Sequence, residues 1–132
     1  MAETKPVDRP LSPHLQIYKP MLTMMMSIIH RATGIALYAG MILLVWWLCA
    51  AAASDDAFAT VQWIFGNWLG LLVLLGFTWT LIHHALGGIR HLYWDTGRGF
   101  DLDRVEFMAK ANLAGSIILT ILVWVIAYMV HA

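Results

Sequence analysis

The sequence predicts an all-α membrane protein with three transmembrane helices, its N-terminus cytoplasmic, in an up-down bundle completed by a partner. Two observations carry this reading. Hydrophobic residues make up 61% of the 132 residues and charged residues 12%, against about 45–50% and about 25% in an average soluble domain. The few charges cluster, leaving uncharged stretches at residues 32–54, 57–89 and 111–132, each long enough for the roughly 20 apolar residues of a membrane helix. A chain this small cannot hide so much apolar surface in a soluble core, and the same composition excludes intrinsic disorder. The formal net charge is zero, so no basic field exists to hold a nucleic-acid backbone. The single cysteine, Cys49, excludes an intrachain disulfide and a cysteine-based metal site.

Residues 1–22 read as an N-terminal cytoplasmic arm. Pro6, Pro10, Pro13 and Pro20, all the prolines of the chain, favour extended backbone over helix. The polar start has no apolar segment of a secretory signal, nor the Arg-rich and Ser-rich character of a mitochondrial transit peptide. Residues 23–132 form the membrane domain, with spans expected near 30–53, 63–89 and 110–131. The second uncharged stretch is too long for one upright crossing. At about 1.5 Å per residue it reaches roughly 50 Å against a hydrocarbon core of about 30 Å. Either it tilts or its first part lies at the interface, which Trp63, Asn67 and Trp68 favour. Trp46, Trp47 and Trp94 are further belt candidates.

Lys and Arg set the orientation. Residues 1–31 hold Lys5, Arg9, Lys19 and Arg31, and residues 90–110 hold Arg90, Arg98, Arg104 and Lys110. The loop near residues 54–60 and the C-terminal tail hold none. The N-terminus is therefore expected inside and the C-terminus outside.

Ionisable groups at a membrane are costly and mark functional candidates. Two clusters qualify. In the first, Ser27, His30, Arg31 and Gly34 fall at i, i+3, i+4 and i+7, one helix face. A hydroxyl, an imidazole and a guanidinium together suit an anion or a carbonyl oxygen; the plainer reading is that His30 and Arg31 snorkel to the headgroups. In the second, His84, Gly87, Gly88 and His91 repeat the same spacing. Glycine between imidazoles lets a flat object or another backbone come close. With Arg90 at the inner interface, His84 lies about six residues deeper, roughly 9 Å into the bilayer. Its partner there is either haem iron or a group on a packed helix. His83 is rotated about 100° away, and His14, His91 and His131 are not deep. A six-coordinate haem thus needs its second ligand from another chain.

The clusters and the arm resemble a known family, the cytochrome b subunits of succinate dehydrogenase (complex II). The matching pieces are Arg9-Pro10-Leu11-Ser12-Pro13-His14-Leu15-Gln16-Ile17-Tyr18, then Ser27-Ile28-Ile29-His30-Arg31-Ala32-Thr33-Gly34, then His84 to Asp95 in the pattern H-x-x-x-G-x-R-H-x-x-x-D. The resemblance implies that His84 is an axial ligand of haem b, with the other ligand from a second, smaller anchor subunit. It implies that His30 and Arg31 lie near the haem propionates; His91, on the same face, is counted with them as cofactor-binding. It implies that Ser27 and Arg31 line a ubiquinone site with Asp95 beside it. The implied partners are the second anchor, an iron–sulfur subunit, a flavoprotein subunit and membrane lipid. The implied location is a bacterial cytoplasmic membrane rather than the mitochondrial inner membrane. The chain resembles no flavin or iron–sulfur motif, so alone it is not expected to oxidise succinate. Three alternatives are the same architecture working as a fumarate reductase, a cofactor-free structural anchor, and a proton-conducting protein. The last is disfavoured by the lack of an inverted repeat.

Overall fold

The computed structural model describes residue 17 and residues 19–131. The Ser-Pro-His-Leu motif and most of the expected arm lie outside them, as does the side chain of His131. Four helices follow in order: α1 (Leu22–Ala53), α2 (Asp55–Gly66), α3 (Trp68–Asp95) and α4 (Leu102–His131). No strand occurs among the described residues. Helices α1, α3 and α4 are each long and apolar enough to cross a membrane.

The helices extend past the uncharged stretches because backbone hydrogen bonding continues through charged residues. α1 begins two residues after Pro20 and includes Ser27, His30 and Arg31; α3 continues through Arg90 to Asp95. The overlong second stretch resolves into a short helix and a long one. Ser54 ends α1 in extended backbone and caps α2, its Oγ accepting from the Ala57 amide at 3.2 Å. Asp55 and Asp56 complement the helix dipole in the first turn. At the second break, Asn67 Oδ1 accepts from the amides of Leu69 (2.9 Å) and Gly70 (3.0 Å), while its Nδ2 donates to the Ile64 carbonyl at 2.8 Å. One side chain thus closes the end of α2 and opens α3.

Gly70 makes that turn possible. A Cβ there would strike the Ile64 carbonyl and the backbone of Phe65, and backbone cannot swing aside. Gly70→Ala is expected to cost about 1–3 kcal/mol through overpacking. The check is thermal loss of helical circular dichroism in detergent; an unchanged midpoint would show that α2 is not held against α3.

Contacts fix the up-down order. Along α1, His30 meets His84 and Gly40 meets Phe77, so α1 and α3 run antiparallel. Along α3, Thr78 meets Trp124 and His83 meets Ser116, so α3 and α4 do as well. α3 is central, packing on α1, α2 and α4. The loop from α3 to α4 turns at Gly97 (φ +76°) and Gly99 (φ +81°), both left-handed and therefore suited to glycine. Trp94 Nε1 donates to the Gly99 carbonyl at 3.2 Å and closes it.

The interior inverts that of a soluble domain. Thr33, Thr80, His83, Arg90, Asn112, Ser116 and Thr120 are buried, whereas the buried apolar residues are Met26, Ala50, Val61 and Ala109. Ile35, Tyr38, Trp63 and Trp68 stand outward, each more than 70% exposed. Small and polar side chains at helix contacts with large apolar ones outside is how helices associate in lipid, where burying apolar surface gains nothing.

Candidate functional site

The two clusters meet across the α1–α3 seam. The His30 ring stacks on the His84 ring, with centroids 4.1 Å apart and planes 5° from parallel. His91 lies about two turns nearer the end of α3 than His84, its centroid 5.1 Å from that of His30. The close approach depends on glycine. A Cβ on Gly87 would collide with the His30 ring, and one on Gly34 would lie 3.2 Å from His84 Cε1. The glycine shelf therefore divides. Gly87 serves the helix contact, while a Cβ on Gly88 would meet nothing within 4 Å.

His84 is held at one nitrogen. Its Nδ1 lies 3.1 Å from the His30 carbonyl oxygen and 3.1 Å from Thr33 Oγ1, and that hydroxyl donates to the same carbonyl at 2.8 Å. The carbonyl can only accept, so a proton on Nδ1 satisfies it and leaves Nε2 with a free lone pair. Nε2 makes no hydrogen bond among the described residues and is not sealed in the interior. His83 is the opposite case. It is fully buried toward α4, its Nδ1 3.2 Å from Ser116 Oγ, its ring beside Trp79 at 4.9 Å, and its Nε2 enclosed without a partner. The two neighbouring imidazoles thus face different helices and different surroundings.

The remaining candidates lie toward the α3–α4 loop end. Ser27 and Arg31 are exposed on α1, one turn apart. Asp95, the last residue of α3, is exposed and makes no ion pair among the described residues, with Arg31, Arg90 or Arg98 included. His84, Gly88, His91 and Asp95 fall at i, i+4, i+7 and i+11, a single stripe of α3. The structure therefore gathers His30, His84 and His91 by direct contact and sets Ser27, Arg31 and Asp95 near the same end without a bond between them. The rings stack rather than converge, and no group of three among the described residues could by itself hold a metal ion. Thr33 was not singled out by sequence, because its role arises across helices and depends on their register.

The chain matches the family described as succinate dehydrogenase/fumarate reductase transmembrane subunit over residues 5–123. It belongs to this family. Among curated relatives, it is 42% identical to the succinate dehydrogenase cytochrome b556 subunit of Paracoccus denitrificans, covering 98% of this chain and 99% of the relative. It is 38% identical to the subunit of the same name from Rickettsia conorii, covering 89% and 91%. It is 31% identical to the cytochrome b560 subunit of Reclinomonas americana, covering 91% and 87%. Its relatives are thus cytochrome b subunits of an oxidoreductase, and the three long apolar helices make it a multi-pass membrane protein.

Proposed function

We propose that the chain is the cytochrome b anchor subunit of a bacterial succinate:quinone oxidoreductase in the cytoplasmic membrane. In this reading it binds haem b jointly with a second anchor subunit and forms part of the site where ubiquinone is reduced. Electrons arrive from an iron–sulfur subunit, and succinate is oxidised on a flavoprotein subunit. The observation that carries the reading is the state of His84. A histidine that ligates a metal characteristically gives its other ring N–H to a carbonyl or carboxylate, and His84 Nδ1 faces the His30 carbonyl while Nε2 is free. The open backbone at Gly88 leaves room beside it for a planar macrocycle. His83, enclosed between α3 and α4, has no such access.

The roles follow from donor chemistry. His84 would hold the haem iron through its free Nε2. His30, Arg31 and His91 offer donors to propionate carboxylates. Haem, when bound, supplies a one-electron carrier within the bilayer. Reducing ubiquinone to ubiquinol takes two electrons and two protons. Ser27 Oγ donates a hydrogen bond to a quinone carbonyl, Arg31 stabilises negative charge developing on the quinone oxygen, and Asp95 holds or passes a proton at its carboxylate. The basic residues of segments 1–31 and 90–110 support placing this end on the cytoplasmic side, where a soluble electron donor docks.

The test is a dithionite-reduced minus oxidised spectrum of the detergent-purified complex. A b-type signal with flavin and iron–sulfur subunits present supports the reading; an intact complex without that signal removes His84 as a ligand. Thr33→Val keeps the His30 carbonyl opposite Nδ1 but removes the hydroxyl. It is expected to lower haem affinity by about tenfold, the small end of the range for outer-shell partners, measured by haem retention on dilution. Unchanged retention would mean the hydroxyl serves only α1.

A further inference from the structure

On the side of α3 away from the imidazole seam, a cleft of about 490 Å³ opens between the last turns of α3 and the first turns of α4. Leu86, Ile89 and Phe107 form apolar walls, and Arg90, Arg104 and Asn112 also line it. The polar groups are unmet. Arg90 is 5% exposed and Asn112 6%. Arg90 Nε and both amide atoms of Asn112 have no hydrogen-bond partner. Arg90 makes no ion pair among the described residues. Its guanidinium lies 5.0 Å from the centroid of the Trp94 ring, which offsets part of the desolvation of a buried cation but not its charge.

These features define the chemistry of a ligand that would fit. It carries an anion for Arg90. It offers both an acceptor and a donor or water-bridged group to the Asn112 amide. It also has an apolar part to cover Leu86, Ile89 and Phe107. A water molecule would satisfy Asn112 and leave the charge of Arg90 uncompensated. A free inorganic anion would leave the apolar walls uncovered. We propose that this cleft binds the phosphate headgroup of an anionic glycerophospholipid between Ile89 and Phe107, with its acyl chains running past Leu86 into the bilayer. Arg104 also lines the cleft, exposed and with its Nε 3.4 Å from Asp101 Oδ2, a weak surface pairing that it can exchange for the phosphate. The site faces away from the seam assigned to haem, so the proposal does not rest on that assignment.

The experiment places the whole complex in bilayers containing a photoactivatable phosphatidylglycerol and maps the labelled peptides. Labelling is expected within residues 86–112, several-fold above that by the matching phosphatidylcholine. Asn112→Leu and the surface variant Arg104→Gln are each expected to reduce it several-fold with all subunits retained. The comparison of the two lipids in the unmodified complex needs no variant to fold. Equal labelling by both lipids, labelling that survives both variants, or complete displacement by inorganic phosphate would overturn the proposal. So would a crosslink from Ile89→Cys, within the cleft, to a partner subunit.

Discussion

His84→Ala is expected to empty the complex of haem, whereas His83→Ala leaves the haem signal in place. The two residues are adjacent, of one type, and at nearly one depth, so depth and composition cannot separate their effects. Their surroundings do. His84 has one nitrogen tied to the α1 backbone and the other free; His83 is enclosed against Ser116 and Trp79. Loss of an outer-shell partner costs a metal site about 10- to 100-fold in affinity, and loss of the ligand itself costs more. Haem content per complex, read from the reduced-minus-oxidised spectrum, is the measurement. His83→Ala instead leaves a void, while the Ser116 hydroxyl keeps its bond to the Leu113 carbonyl; the packing cost is about 2–5 kcal/mol by analogy with other large-to-small core changes, seen as a lower midpoint of thermal unfolding. If His83→Ala loses haem and His84→Ala keeps it, the assignment is reversed.

Arg31→Leu is expected to lower ubiquinone reduction by roughly 10²–10³-fold, the usual cost of removing one donor that stabilises developing oxyanion charge. Succinate oxidation by the same preparation, followed with an artificial acceptor that takes electrons before the membrane domain, should be unchanged. Arg31 is exposed and makes no ion pair among the described residues, so its removal leaves no buried partner stranded. Equal loss in both assays would point to failed assembly. Equal retention would show that the guanidinium serves only as a topology anchor.

How much of this was legible from sequence depends on where the determining contacts lie. Charge-free runs announce the three long helices because lipid tolerates few charges anywhere along a span. The break at Asn67 was signalled by excess length and a polar residue flanked by tryptophan, although its double capping role became visible only with the backbone in place. The stacking of His30 on His84 was half legible. Helical spacing shows that each belongs to a face, and only the α1–α3 register shows that the faces meet. The α3–α4 interior was not legible. Arg90 reads as an interfacial anchor in a basic run, and Asn112 as the polar start of an uncharged one. Nothing in either local pattern reveals that both turn inward.

The seam between α1 and α3 bears on the order in which a larger assembly is put together. The rings of His30 and His84 are already parallel, and Thr33 already braces the carbonyl opposite Nδ1. The rotamers that a bound macrocycle would need fixed are fixed by helix packing alone, so little ordering entropy is left to lose on binding. In the reading proposed above, a chain inserted ahead of its companion presents a finished half-socket. Capture of the prosthetic group would then provide the second face on which the companion helix is selected, making maturation a templated sequence rather than a simultaneous encounter.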